Sequence, residues 1–259
     1  MIDIHCHIVP NIDDGAKGLE DALEMARIAY DEGIRKIINT SHYHPSFEYK
    51  KGKELLRDIN VFNNELKLNN IDIEVMIGNE VYYSEDIIDI IEQKEFYTLN
   101  NSRYLLIEFP PLRFPKNLTD IVYEIKIRGY IPILAHVERY KEIQDNINLI
   151  YMCIDEGALI QVNSSSVIGK NGKQSKKICD ILLSHEMIHF IGTDAHGSKK
   201  RRPIIKEAYK YVCDKYGDEK AESLFVNNPE NLISNREVSI KSPIKYESNK
   251  GFFKKIFGK

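Results

Sequence analysis

The chain has 259 residues, of which 42% are hydrophobic and 29% are charged, as in a globular protein with a substantial core. Its net charge of −3 argues against a broadly basic surface, so we expect no nucleic-acid partner. No apolar run approaches about 20 residues, which argues against a transmembrane helix.

The four cysteines lie far apart and form no C-x-x-C motif, so we expect reduced thiols and neither a zinc knuckle nor a redox pair. The first residues, MIDIHCH, run directly into a predicted strand, so we expect no signal peptide. These features favour a cytoplasmic protein.

Seven short apolar runs, rich in β-branched residues, predict strands. They cover residues 2–7, 36–42, 73–80, 104–108, 131–136, 158–163 and 188–196. Segments with helical periodicity separate them and continue after the last one. These cover residues 18–32, 50–68, 85–93, 117–128, 140–156, 175–186, 203–216 and 219–225. Strands that alternate with helices and lack a two-residue polar pattern predict a parallel α/β sheet, either a βα barrel or an open sheet.

Each predicted strand ends in or just before a residue that can bind metal or substrate. These residues are His5, His7, His42, Glu80, Glu108, His136, Asn163, Asp194 and His196. The carboxyl ends of barrel strands converge on one face, so a pocket lined by imidazoles and carboxylates is expected there. His5 and His7 are two residues apart and should project to the same side of their strand.

This donor set, with Asp13 and Asp14 from the following loop, suits Mn, Zn or Fe and is large enough for two or three ions. Closely spaced ions commonly serve to hydrolyse phosphate esters. The sequence therefore predicts a metal-dependent phosphoesterase.

The motifs DIHCHIVPNIDDGA, SHYHP, GNEVYY, IEFP, LAHVERY, QVNSSSVIG and GTDAHGSKKRRP together resemble the PHP superfamily (polymerase and histidinol phosphatase). The closer resemblance, from residue 2 to about residue 235, is to the CpsB/CapC type of manganese-dependent tyrosine-protein phosphatase found in Gram-positive capsule and exopolysaccharide operons. It implies a distorted seven-stranded (βα)7 TIM-like barrel over residues 1–240.

The resemblance also implies roles for individual residues. A first ion would be held by His5, His7, Glu80 and Asp194, a second by Glu80, Glu108 and His136, and a third by Asp14, His42 and His196. Arg139 would bind the phosphate, with Arg201 or Arg202 as a second clamp, and Asn163 would contact the substrate or orient its loop. Asp13 is expected to cap the loop, and His44, His185 and His189 to lie outside the site.

The chemistry implied is attack by a metal-activated hydroxide without a phosphoenzyme, with Mn²⁺ as the cofactor and Fe or Zn as alternatives. The substrate would be a tyrosine-phosphorylated protein, such as a membrane-associated bacterial tyrosine kinase that controls polysaccharide export. A cysteine-based phosphatase is set aside, because no arginine stands six positions after any cysteine.

Three other hypotheses about the function are compatible with the sequence. A PHP phosphatase could act on histidinol phosphate or another small molecule. A PHP exonuclease is opposed by the acidic balance of the chain. A metal-binding regulatory scaffold is opposed by the presence of every expected ligand.

Residues 241–259 carry six lysines and one glutamate together with several aromatic and aliphatic residues. They are interpreted as a basic amphipathic tail, separate from the domain of residues 1–240. Such a tail could contact an anionic membrane surface, which would bring the protein to the inner face of the membrane. The alternative is a frayed terminus.

Overall fold

The computed structural model describes residues 1–111 and 114–247, and every strand pair in this part of the chain is parallel. The strands are β1 (Ile2–Cys6), β2 (Lys36–Asn39), β3 (His42–Tyr43), β4 (Glu74–Ile77), β5 (Glu80–Tyr82), β6 (Tyr104–Glu108), β7 (Ile131–Leu134), β8 (Leu159–Asn163) and β9 (Phe190–Gly192). The predicted parallel α/β architecture is confirmed.

The strands form a curled sheet whose last strand lies beside the first. Hydrogen-bonded strands follow the orders β1-β2-β4 and β3-β5-β6-β7-β8-β9. Just beyond β9, the amide of Asp194 donates to the His5 carbonyl at 2.7 Å, and the amide of His7 donates to the Ala195 carbonyl at 2.8 Å. The ends of β1 and β9 therefore meet, which brings the first and last site motifs together.

The predicted count of seven strands is corrected by the structure, which has nine in its described residues, because two of the predicted runs are each divided in two. The breaks fall at residues 40–41 and 78–79, where side chains replace part of the strand ladder. Asn79 Nδ2 donates to the Ser41 carbonyl at 2.9 Å, and a Cβ on Gly78 would lie 2.8 Å from Ile38 Cγ2. The close approach at Gly78 and the polar side chain of Asn79 together change the direction of both backbone segments just before His42 and Glu80.

Helices connect the strands and cover the outside of the sheet. They are α1 (Leu19–Asp31), α2 (Gly52–Leu68), α3 (Ile87–Gln93), α4 (Leu118–Ile127), α5 (Lys141–Asp145), α6 (Asn148–Glu156), α7 (Ser164–Val167), α8 (Lys173–Ser184), α9 (Lys206–Tyr216), α10 (Asp218–Glu222) and α11 (Asn228–Ile233). Short 3₁₀ turns lie at Leu99–Asn101 and Val137–Arg139, and a π-helical turn at Ser223–Asn227 joins α10 to α11.

The helix predicted over residues 140–156 is instead two helices, α5 and α6. Asn146 leaves the helical conformation, with φ −140° and ψ 85°, and so interrupts the backbone hydrogen bonds. The predicted C-terminal stop at Gly157 is confirmed, because this residue adopts a left-handed conformation with φ 112°. The short helices α7 and α11 are not predicted by the periodicity, which needs longer windows to be read.

The site lies above a buried apolar layer on the same face of the sheet. Tyr104 and Leu106 precede Glu108 at alternate positions of β6, and all the residues before Glu108 on this strand are buried. On β8, Leu159 precedes Gln161 and Asn163 in the same way. The apolar layer therefore supports the polar strand ends from below.

The first residues of the predicted tail pack against the body of the protein. The amide of Ile244 donates to the His185 carbonyl at 2.8 Å, and Asn148 exchanges two hydrogen bonds with the backbone of Tyr246, at 2.9 and 3.0 Å. The remainder of the predicted tail, residues 248–259, lies outside the described residues. Among the described helices, none is long and apolar enough to span a membrane.

Candidate metal centre

Nine predicted side chains meet at the carboxyl ends of the strands. They form four overlapping groups in which all the candidate ligand atoms lie within 4.8 Å of one another. The groups are His7, Asp14, His42 and His196; His5, His7 and Glu80; His5, His136 and Asp194; and His42, Glu80 and Glu108. These are the same nine residues that the resemblance proposes as metal ligands.

Glu80 lies at the centre of this cluster, and its two carboxylate oxygens face four imidazoles. Oε1 lies 3.3 Å from His5 Nε2 and 3.0 Å from His136 Nε2. Oε2 lies 3.3 Å from His7 Nε2 and 3.2 Å from His42 Nδ1. The Glu80 side chain is buried, so a single carboxylate is in position to connect several ligand groups.

A second carboxylate, Asp14, connects the histidines on the outer side of the cluster. Asp14 Oδ1 lies 3.4 Å from both His42 Nε2 and His196 Nε2. Glu108 completes the opposite side, because its Oε1 lies 3.4 Å from His136 Nε2 and its Oε2 lies 3.5 Å from His42 Nδ1. The grouping differs from the expected one in three ways: His42 faces Glu80 and Glu108 as well as Asp14, His7 also joins the Asp14 group, and Asp194 groups with His5 and His136.

Hydrogen bonds to the far ring nitrogens orient three of the histidines. His7 Nδ1 lies 2.8 Å from Asp13 Oδ2, His5 Nδ1 lies 3.1 Å from Gln161 Oε1, and His196 Nδ1 lies 3.0 Å from the Asp194 carbonyl. Because each acceptor holds a proton on Nδ1, the Nε2 atom of each ring faces the cluster and becomes a ligand when it loses its proton to a metal ion. This is the arrangement that a metal-binding imidazole requires.

The electrostatics of the cluster favour positive charge. Burial by itself lowers the pKa of His7, but the Asp13 carboxylate opposes burial and raises this pKa to about 9. Burial also opposes protonation of His136, whereas Glu108 and Glu80 raise its pKa to about 10. The neighbouring imidazoles of His196 and His42 lower the pKa of Asp14. The Asp14 carboxylate is thus held ionised and attracts cations to this position.

Two of the site residues have a left-handed backbone. His136 has φ 35° and Asp194 has φ 53°, and each stands two residues beyond the end of its strand. This conformation is uncommon for residues other than glycine, although aspartate and histidine adopt it more readily than most, and it turns the chain sharply. The turn directs both side chains back over the strand ends toward Glu80 and His5.

Asp13 acts as the predicted loop cap and also supports the histidines. Its Oδ1 accepts the amide hydrogen of Gly15 at 2.9 Å, and its Oδ2 accepts that of His42 at 2.8 Å in addition to the ring proton of His7. Gly15 is required beside it, because a Cβ there would lie 2.3 Å from the His7 carbonyl oxygen. The Asp-Asp-Gly motif therefore places one aspartate behind the histidines and the other in front of them.

We expect Asp13→Asn to weaken Mn²⁺ binding about 10- to 100-fold, the usual cost of losing a partner of a ligand. The asparagine amide would replace one acceptor oxygen by a donor. Because all three partners of Asp13 are themselves donors, at least one of these hydrogen bonds would be lost. Calorimetric titration with Mn²⁺ measures the effect, and Asp31→Asn, at the exposed end of α1, is the control. Equal affinity in Asp13→Asn and the wild type would contradict this role.

Gln161 is a site residue that the sequence reasoning missed. Its Oε1 accepts the backbone amide hydrogen of His136 at 2.8 Å as well as facing His5, and its Nε2 donates to Asn163 Oδ1 at 3.0 Å. Asn163 Nδ2 in turn donates to Asp194 Oδ2 at 2.8 Å. A signal was present, because a glutamine two residues before Asn163 shares its face of an otherwise apolar strand.

Two arginines contact the outer edge of the cluster at Asp194. Arg139 Nη1 lies 3.2 Å from Asp194 Oδ2, and Arg201 Nη2 lies 2.6 Å from Asp194 Oδ1. Both guanidinium-bearing side chains are partly exposed and line a cavity of about 600 Å³, which Asn163 also lines. Arg202 lines the same cavity but forms no ion pair among the described residues. Of the adjacent pair, Arg201 is therefore the one that reaches the cluster.

The other three histidines lie outside the four ligand groups. His44 contacts the hydroxyl groups of Ser46 and Ser84, and His185 contacts the carbonyl of Ile181. His189 is buried below the site, where its Nδ1 accepts the amide hydrogen of Ile160. Their expected position away from the centre is confirmed by the geometry.

Residues 1–234 match the family model described as "Capsular polysaccharide synthesis, CpsB/CapC". The chain is 36% identical over 256 residues to tyrosine-protein phosphatase YwqE of Bacillus subtilis, covering 98% of this chain and 100% of the relative. It is 33% identical over 254 residues to the putative tyrosine-protein phosphatase CapC of Staphylococcus aureus, covering 98% and 99%.

The fold is shared with solved structures. A chain from the crystal structures of YwqE from Bacillus subtilis and CpsB from Streptococcus pneumoniae, described as unique metal-dependent tyrosine phosphatases, superposes with a TM-score of 0.91 at 34% identity. The match covers 96% of this chain and all of that chain. A histidinol phosphate phosphatase from Lactococcus lactis superposes with a TM-score of 0.56 at 15% identity, covering 86% and 94%, which shows a similar fold alone.

Proposed function

The chain belongs to the CpsB/CapC family of capsular polysaccharide synthesis proteins, and from this premise we propose that it is a metal-dependent protein-tyrosine phosphatase. The observation that carries the proposal is the cluster of nine imidazole and carboxylate ligands around Glu80, with Arg139 and Arg201 at its edge. Such a combination of ligands and arginines serves the hydrolysis of phosphate esters.

The residues present fit the metal that the family implies. His42 Nδ1, Glu80 Oε2 and His196 Nε2 are buried and face charged neighbours in the cluster, yet none of them forms a well-aligned hydrogen bond among the described residues. Unpartnered buried polar atoms are costly, and coordination would remove that cost. We propose that His5, His7, Glu80 and Asp194 hold one ion, and that Glu108 with His136, and Asp14 with His42 and His196, complete sites for a second and a third. Mn²⁺ is the proposed metal, and Fe and Zn suit the same donors.

A metal ion bound there supplies Lewis acidity toward a phosphoryl oxygen and makes a water molecule more acidic. Arg139 and Arg201 present planar guanidinium groups to the same face and would bind the remaining phosphoryl oxygens through paired N–H donors. Their contacts with Asp194 keep the two arginines directed toward the cluster. The leaving group is the phenolate of a tyrosine hydroxyl whose pKa is about 10, so a dedicated general acid is not needed.

A phosphoenzyme on cysteine does not fit this site. Cys6 is the cysteine closest in sequence to the ligands, and burial raises the pKa of its thiol well above the usual value. Its Sγ faces the Ala195 carbonyl and not the metal ligands. A thiolate nucleophile is therefore disfavoured at the centre, and we propose direct attack by water.

The proposed physiological substrate is a tyrosine-phosphorylated protein, with a bacterial tyrosine kinase of polysaccharide export as the first candidate. We further propose that the protein regulates capsular or exopolysaccharide synthesis, in keeping with the family description. Action at the inner face of the membrane through the basic C-terminal residues stays a prediction, because residues 248–259 lie outside the described part of the chain.

Treatment with EDTA is expected to abolish phosphate release from a phosphotyrosine peptide, and addition of Mn²⁺ is expected to restore it, because the ligands alone provide no Lewis acid. Phosphate should be released from histidinol phosphate about a hundredfold more slowly than from the peptide, a discrimination of about 2.7 kcal/mol. Metal content is measured in the same samples.

Full activity in samples shown to be free of metal would contradict metal dependence. Faster turnover of histidinol phosphate than of the peptide would identify the protein as a small-molecule phosphatase and contradict the proposed protein-tyrosine phosphatase activity. Binding of Mn²⁺ without turnover of either substrate would favour a metal-binding regulator.

A further inference from the structure

The cavity beyond Asp194 has a strongly positive lining. Its charged side chains are five cations and one carboxylate, namely Arg139, Lys170, Lys200, Arg201, Arg202 and Asp194. The whole chain, in contrast, has a net charge of −3. The positive charge is therefore concentrated beside the candidate metal centre, in a concave site that strengthens its effect on an anionic ligand.

Three of these five cations have partners within the protein. Arg139 and Arg201 contact Asp194, and Lys170 Nζ lies 2.8 Å from Glu207 Oε2. Lys200 and Arg202 form no side-chain hydrogen bond or ion pair with any residue in the described part of the chain. Two positive charges of the cavity are thus left for an external partner.

The loop that carries these two residues is held by its own backbone. The Arg201 carbonyl accepts the amide hydrogen of His196 at 2.8 Å, and the Lys200 carbonyl accepts that of Arg202 at 3.0 Å. Ser198 donates to Asp21 Oδ1 through both its amide, at 3.0 Å, and its hydroxyl, at 2.6 Å. The backbone positions of Lys200 and Arg202 are consequently held on either side of Arg201, so only their side chains need to become ordered when they bind an anion.

Building on the proposed phosphatase function, we infer that Lys200 and Arg202 form a second anion subsite. This subsite binds an acidic side chain that lies close to the phosphotyrosine in the substrate sequence. An extended peptide advances about 3.3 Å per residue and repeats its facing every two residues, so a side chain two positions away lies about 7 Å from the phosphotyrosine. That separation is within the screening length of about 8 Å at physiological ionic strength.

The subsite gives the enzyme a substrate class. Phosphotyrosine flanked by aspartate or glutamate is preferred over phosphotyrosine in a neutral sequence. A neighbouring phosphotyrosine presents the same chemistry with a larger negative charge, and it is bound in the same way. The preference is electrostatic, so it decreases as the salt concentration rises.

The experiment compares kcat/KM of the full chain with Mn²⁺ on three phosphotyrosine peptides of one sequence. The peptides differ only at the positions two residues before and two residues after the phosphotyrosine. The first peptide has acidic residues there, the second has neutral amides, and the third has a second phosphotyrosine at one of these positions. We expect the acidic peptide to be favoured over the neutral one about tenfold at low salt, as two partly exposed ion pairs can provide. In the double variant Lys200→Gln/Arg202→Gln, this ratio should fall to about twofold or less.

A charge-matched control is the double variant Arg27→Gln/Lys210→Gln, which removes one arginine and one lysine from exposed helix pairs outside the cavity. Its preference should equal that of the wild type. The doubly phosphorylated peptide distinguishes the two anion sources, since a larger preference for it than for the acidic peptide identifies a second phosphate as the better ligand.

Two outcomes would overturn the inference in different ways. Equal kcat/KM for acidic and neutral peptides, with both hydrolysed, removes the subsite but leaves the phosphatase function in place. Hydrolysis of none of the peptides by the Mn²⁺-loaded protein removes both. An unchanged ratio in Lys200→Gln/Arg202→Gln would assign the preference to other residues and also overturn the subsite.

Discussion

Glu80→Gln is expected to reduce phosphotyrosine hydrolysis about a thousandfold or more, equivalent to about 4 kcal/mol of transition-state stabilisation. Glu80 faces His5 and His136 through one oxygen and His7 and His42 through the other. The amide keeps nearly the same shape but removes the negative charge and one of the two acceptor oxygens. The loss therefore tests the charge of the residue at the centre of the cluster and not its volume.

The measurement is kcat and KM with a phosphotyrosine peptide, together with the amount of Mn²⁺ bound per chain. We expect the bound Mn²⁺ to fall by at least one ion in Glu80→Gln, and circular dichroism establishes that the variant is folded. The matched control is Glu20→Gln, an exposed carboxylate on α1. Wild-type activity and metal content in Glu80→Gln would refute the proposed centre.

Arg201→Lys and Arg139→Lys are each expected to lower kcat/KM about a hundredfold, because lysine keeps the charge but cannot donate two parallel hydrogen bonds to a phosphoryl group. Both guanidinium groups already contact Asp194 at the edge of the ligand cluster. A loss of this size corresponds to about 2.7 kcal/mol and is typical of a group that contacts developing charge.

Arg202→Lys is the comparison that distinguishes the two adjacent arginines. Its decrease in kcat/KM on a neutral phosphotyrosine peptide should remain below about tenfold. Arg202 lines the cavity without contacting the cluster. The metal content of each variant is measured alongside, because the arginines also neutralise Asp194. A larger loss in Arg202→Lys than in Arg201→Lys would exchange the roles given to the two residues.

The ligand set could be predicted from the sequence because its signals are local. A strand turns successive side chains to opposite faces, so His5 and His7 project together wherever that strand lies. Parallel strands place their carboxyl ends on one side of the sheet, so polar residues at the ends of apolar runs converge. The resemblance to a known family then assigned these residues to ions, and the structure brings all nine together in four overlapping groups whose membership differs from the assigned sets.

Other features depend on contacts between distant parts of the chain. Two predicted strands are divided at residues 40–41 and 78–79, because Asn79 donates to the Ser41 carbonyl and the Glu80 amide donates to the Thr40 carbonyl across the sheet. Gln161 reaches His5 because β8 pairs with β9, and the end of β9 meets β1. Neither neighbour appears within a window of the sequence that periodicity can examine.

The parallel α/β class, the identity of the candidate ligands and the enzyme family all follow from the amino-acid sequence alone. The tertiary structure decided that Asp13 supports His7 while Asp14 faces the cluster, and that Arg201 rather than Arg202 contacts Asp194. These pairs of neighbours have the same chemistry and nearly the same sequence context. What separates them is the direction in which a loop turns each side chain, and that direction is set by hydrogen bonds to residues far away in the chain, such as those of Ser198 with Asp21.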